Sequence, residues 1–388
     1  MMRRVILRGL LVLIVLLAGL GLWKRDEIAR LNAVNTLFDE ERIVANFIHM
    51  DALFHTRAMQ VRRARPSPLP YAAAPLGLPA GTETWLEDRN ATSLLILRRG
   101  EIVHEDYRLG TREGDLRISW SVAKSFLAAL IGIALDEGAI ASINDPVTTY
   151  APDLIGSAYD GATIRNVLNM ASGVAFNEDY LDFWSDINRM GRVVALGGSL
   201  DDFAAGLSDK RAVPGAEWHY VSIDTHVLGM VLRGATGQSV PELMEKKLLG
   251  PLGLEADPYY VTDGEGTAFV LGGLNMTTRD FARFGQMILQ GGMWQGRQMV
   301  QASWVDAMTA ESAPWQTGQI ARYGYQWWLP NDARPGEVFA IGVYGQYIWI
   351  DRDRGVVIVM TSADRGFEEP GVFEANIEMF RNLVEAVQ

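Results

Sequence analysis

Hydrophobic and polar positions divide the chain into stretches of different period. From Gly9 to Trp23 the residues are uncharged and mostly apolar, between Arg3, Arg4 and Arg8 on one side and Lys24 and Arg25 on the other. A run of this length is near the lower limit for crossing a bilayer, and Arg8 can extend it by snorkelling. The positive charges ahead of it predict a membrane anchor with a cytoplasmic N-terminus and the rest of the chain exported. A cleaved signal peptide is the rival expectation, although AGLG offers no clean A-x-A site. A buried core helix is a third.

Beyond Asp26, Leu31, Val34, Leu37 and Phe38 recur at three- and four-residue steps and predict helix to about Met59. Residues 62–79, RRARPSPLPYAAAPLGLP, are rich in Pro and Ala and read as an extended linker. TSLLILRRG and EIVHEDYRL read as two strands joined at Arg99-Gly100. A long apolar run, RISWSVAKSFLAALIGIAL, follows and predicts a helix opening near Ser121. Residues from about 140 to 320 alternate helical and loop patterns, punctuated by stretches such as VPGAEW and GPLGLE. Strand patterns return in YGYQWWLP, EVFAIGVYG, QYIWID and GVVIVMTS, and VFEANIEMFRNLVEAV closes as an amphipathic helix.

Strands at both ends and helices between predict an α/β chain of the α+β type. Its antiparallel sheet is built from N- and C-terminal strands, flanked by helices, with a large helical insertion subdomain at about 140–320. The expected organisation is an anchor or signal segment at 1–25, a helix and linker at 26–84, and a main domain at 85–388. A cleft is expected where insertion and sheet meet.

Composition narrows the chemistry. The net charge of −12 argues against a nucleic-acid surface. The absence of cysteine excludes disulfides, thiolate nucleophiles and iron–sulfur ligation. Among 35 basic residues the lysines are only Lys24, Lys124, Lys210, Lys246 and Lys247. Arginine stays charged in a protein, whereas a desolvated lysine can deprotonate. Lys124 alone has a serine three residues earlier, Ser121, and it lies in an apolar segment.

On a helix, positions i and i+3 share a face, so the Lys124 amine can reach the Ser121 hydroxyl. Serine is a weak nucleophile that needs a base. A free lysine, with a pKa of about 10.4, is too basic for that role. Burial, nearby positive charge and the positive end of a helix would each lower it. A helix-opening amide beside Ser121 would also suit a developing oxyanion. The bland alternative makes Ser121 a helix cap and Lys124 a snorkelling surface residue.

Other nucleophile systems leave little trace. There is no G-x-S-x-G elbow. None of His49, His55, His104, His219 and His226 falls in an H-E-x-x-H pattern. A Ser-His-Asp triad remains open, since its members are distant in sequence. No metal or organic cofactor is expected.

ISWSVAKSF, NDPVTTYAPDL, TIRNVLNMASGVAFNEDYLD, VPGAEWHYVSIDTHVLGMVL, PLGLE and RDFARFGQMILQGG occur in this order. Together they resemble the serine β-lactamase-like superfamily of class C β-lactamases, penicillin-binding proteins and related esterases. The resemblance spans roughly residues 85–388. NEDYLD and HYVSIDTHVLG look most like its 6-aminohexanoate-dimer hydrolase branch. It implies that Ser121 is the acylated nucleophile and Lys124 its base partner. Tyr220, in Tyr220-Val221-Ser222, is implied to share proton transfer, with Ser222 completing the network. A phenol beside a cationic lysine would lose its proton more easily.

The family's third motif, K-T-G or H-x-G in many relatives, is matched to Val343-Tyr344-Gly345, with Gln346 offering the second oxyanion amide. The register is open by a residue or two. No cation stands at its first position, which weakens the case for β-lactam hydrolysis. Tyr180 resembles a loop tyrosine that closes over an amide, and Glu178, Asp179 and Asp182 around it would attract an amine or merely form a solvated loop. His219 is expected on the face opposite Tyr220, in a structural role. Trp184, Trp218, Trp327 and Trp328 are expected as core or cleft wall.

The functional expectation is a serine hydrolase acting on a small ester or amide. The alternatives are a membrane-tethered protein that binds peptide or cell-wall fragments without turnover, and weak β-lactamase or D-Ala-D-Ala peptidase activity.

Overall fold

The computed structural model describes residues 2–61, 65–74 and 77–387. Positions 62–64 and 75–76 of the expected linker lie outside the described residues. Thirteen strands occur among the described residues. They are β1 (Thr56–Ala58), β2 (Ala91–Arg98), β3 (Glu101–Tyr107), β4 (Arg117–Ile118), β5 (Tyr259–Val261), β6 (Leu274–Met276), β7 (Met293–Trp294), β8 (Arg297–Gln298), β9 (Ala321–Tyr323), β10 (Trp328–Pro330), β11 (Glu337–Gly342), β12 (Gln346–Asp351) and β13 (Val356–Ser362).

Seven of them form one antiparallel sheet in the order β3-β2-β13-β12-β11-β10-β9, so the two ends of the chain meet at the β2–β13 pair. Leu95, Leu97, Ile348, Ile350, Val357 and Val359 face one core; Leu94, Ile96, Trp349, Val356 and Ile358 face another. Alternate residues therefore serve opposite faces. Both faces are covered, which is why these strands read as continuous apolar runs. The β2–β3 turn places Arg99 at φ 52° and Gly100 at φ 86°, the left-handed geometry that tight hairpins favour.

The helix Thr278–Leu289 packs on one face. At Gly285 an added Cβ would meet Val357 Cγ1 at 2.7 Å and Ile348 Cγ2 at 2.9 Å, so glycine lets helix and sheet approach. The other face carries the helix Val372–Ala386, with Phe380 against Trp349 and Trp85. The helix Ala123–Asp136 is buried along its length from Ala123 to Ala134, which explains why it is apolar all round.

The insertion is not purely helical. It contributes β5 and β6 to a second sheet, β1-β5-β6-β4, through pairs such as Arg117↔Met276 and Thr56↔Val261. This sheet fixes the segment entering Ser121: Ser119, two residues earlier, donates its N–H to Leu274 O at 2.7 Å.

The single helix expected from Asp26 to Met59 is instead Arg25–Asn35, Ile43–Ile48 and Met50–Leu53, followed by strand β1. A continuous helix would run about 50 Å. It would hold Phe38 and Phe47 more than two turns apart, yet both rings contact Trp120, at 5.7 and 5.5 Å between centroids. Tertiary packing therefore breaks the helix. Leu37, Ile43, Phe47, Met50, Met59 and Val61 belong to the same core as the Ala123–Asp136 helix.

The N-terminal helix is Met2–Trp23. Its window Ile6–Trp23 has mean hydropathy 2.4, and none of that window is buried. It is long and apolar enough to cross a membrane, as a signal sequence or an anchor would be.

Candidate active site

Ser121 sits in a short 3-10 turn, Trp120–Val122, immediately before the helix Ala123–Asp136. The preceding Trp120 has φ 44°, a left-handed conformation that a bulky residue rarely adopts. Lys124 lies on the helix's first turn. Its Nζ is 2.7 Å from Ser121 Oγ, 2.8 Å from Leu271 O and 3.2 Å from Ser222 Oγ. The residue is only 2% exposed.

Burial lowers the Lys124 pKa to about 7, against Glu178 and Asp224, which act to raise it. The expectation of neighbouring positive charge is thus replaced: the charged neighbours are acidic, and desolvation outweighs them. A neutral amine has two N–H donors and one lone pair. Leu271 O and Ser222 Oγ accept the two donors, which leaves the lone pair for the Ser121 hydroxyl.

Tyr220 comes from the loop before the helix Ser222–Thr236. Its phenol faces the Ser121 and Ser222 hydroxyls, which favour its ionised form, but burial followed by the Glu178 charge holds it well above the usual range. The expected easing of its ionisation does not occur, because burial and a carboxylate dominate. Lys124 Nζ lies 5.3 Å from the Tyr220 ring centroid. The Tyr220 phenol is thus held protonated, while the Lys124 amine is brought toward neutrality.

Ser222 opens its helix, and Glu178 caps it from another segment. Glu178 accepts from Ser222 N at 3.0 Å, from Ser222 Oγ, and from the Tyr180 hydroxyl at 2.8 Å. The carboxylate satisfies a helix-end N–H that would otherwise lack a partner. Sequence reasoning noticed Glu178 only as one acid in a loop. Its signal was its place two residues before Tyr180. Asp179 instead accepts from Leu181 N and Asp182 N, and Asp182 from Trp184 N, within the loop itself.

The segment matched to the third motif lies just past the strand end that reaches Ser121. Tyr344 and Gly345, at φ 60° and 82°, form the turn between β11 and β12. The Tyr344 ring stacks on Phe38 at 4.5 Å. The Gln346 amide group donates to Tyr344 O at 3.0 Å and Ser362 O at 2.9 Å, holding that turn. The backbone that reaches Ser121 is three residues earlier. A Cβ on Gly342 would lie 2.6 Å from Ser119 O and 3.1 Å from Ser121 N. Only a residue without a side chain allows the strand end so close, and a glycine after an apolar Ile341 was legible but not selected.

Among the described residues, the side chain hydrogen-bonded to Ser121 is that of Lys124, and the phenol of Tyr220 rather than a histidine is the other titratable group beside it. His226 pairs with Asp201 at 2.7 Å. His219 lies outside any strand, with Nε2 3.0 Å from Phe176 O, and it lines the cleft. Trp218 and Trp328 also line the cleft, Trp327 is buried core, and Trp184 is exposed.

Two cavities meet at Ser121. The outer one, about 570 Å³, is lined by Glu178, Arg211, Trp218, Tyr220, Glu368 and the loop 316–320, among others. The inner one, about 110 Å³, is walled largely by aliphatic and aromatic side chains.

A two-ended antiparallel sheet around a buried S-x-x-K pair, opposed by a tyrosine from the inserted region, defines the class. The chain belongs to the β-lactamase family, whose model, described as Beta-lactamase, matches residues 83–377. A curated relative, the 6-aminohexanoate-dimer hydrolase of Paenarthrobacter ureafaciens, is 34% identical over 297 residues, which covers 72% of this chain and 74% of the relative. A solved Bacillus anthracis structure, provisionally named a 6-aminohexanoate-dimer hydrolase, aligns with a TM-score of 0.78 at 23% identity, covering 90% of this chain and 96% of that one. The solved structure of EstCE1, a hydrolase with promiscuous acyltransferase activity, aligns with a TM-score of 0.62 at 16% identity, covering 79% and 96%. These last two likenesses are of fold.

Proposed function

We propose that the chain is a serine hydrolase that cleaves a small ester or amide through an acyl-enzyme on Ser121. One observation carries the reading: a buried lysine, its pKa brought down to about 7, lies 2.7 Å from a serine hydroxyl. Neutral Lys124 takes the Ser121 proton as Oγ attacks the carbonyl. The oxyanion is met by the Ser121 amide and by the neighbouring amide at the Gly342–Val343 strand end. Tyr220 gives its proton to the leaving group and recovers one from the Lys124 ammonium. Water then repeats the sequence in reverse and frees the acid. Ser222 and Glu178 keep the lysine and tyrosine oriented. Tyr180, on the same loop, borders the site and is read as a substrate contact.

Amide cleavage is supported by the 34% identical relative, whose name is that of a dimer hydrolase. Strong β-lactam hydrolysis is disfavoured, because Ala340, two residues before Gly342, stands where many family members carry the cation that holds a substrate carboxylate. Nitrocefin turnover is expected to be negligible. The unburied apolar helix Ile6–Trp23 supports a membrane anchor with the catalytic domain outside the cytoplasm.

The test is intact-mass measurement after incubation with a fluorophosphonate and with p-nitrophenyl esters. Wild type should gain the adduct mass and turn over the esters. Ser121→Ala should do neither, and full turnover by that variant would remove the assignment.

A further inference from the structure

The two cavities at Ser121 differ in size and polarity, and Tyr220 decides which part of a substrate enters each. A leaving group must lie beside the acid that protonates it. Tyr220 lines the outer cavity and is not among the residues lining the inner one. The leaving group therefore departs outward, and the acyl group left on Ser121 must occupy the inner cavity.

We propose that the inner cavity is an acyl pocket for an uncharged aliphatic chain of about four to six carbons, comparable in size to groups held by small engineered cavities. This rests on the reading of Ser121 as nucleophile. The volume is about 110 Å³; an apolar cavity of about 150 Å³ accepts benzene, so a somewhat shorter chain fills this one. Leu37, Phe38, Phe54, Ile187, Val194 and Phe269 supply much of the wall, and no lining residue is charged. A terminal ammonium on the acyl chain would be desolvated without a partner there. The acids that a sequence reader would offer it are engaged elsewhere, Glu178 with Ser222 and Tyr180, and Asp179 within its loop.

Part of the wall lies ahead of the family match. Val34, Leu37, Phe38, Met50 and Phe54 precede residue 83, where the family match begins. The segment expected to be a mere helix and linker thus sets acyl selectivity, on a catalytic frame that lies wholly within the matched region.

The experiment compares kcat/KM of the full chain in detergent for p-nitrophenyl acetate, butanoate, hexanoate, dodecanoate and 6-aminohexanoate, which share one leaving group. Butanoate or hexanoate should be best, at least tenfold above dodecanoate, and hexanoate at least tenfold above 6-aminohexanoate. Gly191 lines the cavity, and a Cβ there meets no atom within 4 Å. Gly191→Leu should therefore lower the hexanoate-to-acetate ratio at least tenfold, and Val194→Phe is the second variant should the first fail to fold. A flat profile, a preference for dodecanoate, equal use of 6-aminohexanoate, or an unchanged ratio in the folded variant overturns the acyl pocket while ester turnover by Ser121 stands. No turnover of any ester together with no fluorophosphonate adduct overturns both readings.

Discussion

At the scale of single residues the proposed mechanism rests on Lys124, whose environment makes its expected behaviour calculable in sign. The free-enzyme base must be neutral, so kcat/KM for a neutral ester should rise with pH through about 7 and then level. Tyr220 must stay protonated, and its phenol is held far above 10, so no fall is expected below pH 10. Glu178 stabilises the lysine's charged form and raises its pKa. Glu178→Gln should therefore move the acid limb below 7, and a limb that moves upward would contradict this electrostatic account. Tyr220→Phe keeps the ring but removes the proton, and should lower kcat by roughly 10²–10⁴ with the melting temperature little changed. Legibility at this scale was uneven. Ser121 and Lys124 stood out because spacing and lysine scarcity are properties of the chain. Glu178 did not, because its partner Ser222 is distant in sequence and only folding brings the two together.

At the scale of elements, the β11 end is the instructive case. Tyr344 and Gly345 look like a motif in the sequence, yet they make the turn, while Gly342 makes the approach to Ser121. A register shift along a strand changes which residues face a neighbour, and nothing local in IGVYG reveals where the strand stops. Gly342→Ala should press a methyl group into Ser119 O and displace the strand from Ser121. An activity loss of about 10²-fold or more, measured on the same p-nitrophenyl esters, is expected, and wild-type rates would refute the close-approach argument. The helix expected over 26–59 fails for a related reason. Its apolar periodicity is real, but Phe38 and Phe47 must converge on Trp120, and a straight rod cannot bring them there.

Across the whole molecule, the N-terminal region divides functionally near residue 25. Among the described residues, the helix Met2–Trp23 lends no buried side chain to the core, whereas the following segment buries Phe47, Met50 and Met59 and adds strand β1 to the second sheet. A chain lacking residues 1–24 should melt within about 2 °C of the full chain. One lacking residues 1–58 should lose more than about 10 °C or become insoluble, since each large core side chain removed costs several kcal/mol. Thermal unfolding followed by circular dichroism checks both.

The amino-acid sequence by itself determined the sheet strands, the buried Ser121 helix, the apolar N-terminal run and the neighbourhood of Ser121 and Lys124, the proposed reactive pair. These follow from local periodicity and short spacing, which a chain carries before it folds. The tertiary structure alone decided how far burial lowers Lys124, that Glu178 caps the Ser222 helix, that Gly342 rather than Gly345 abuts Ser121, and that the 34–54 segment roofs a cavity. Each of these depends on desolvation or contact between segments far apart in the chain, and such quantities do not exist until the chain has closed on itself.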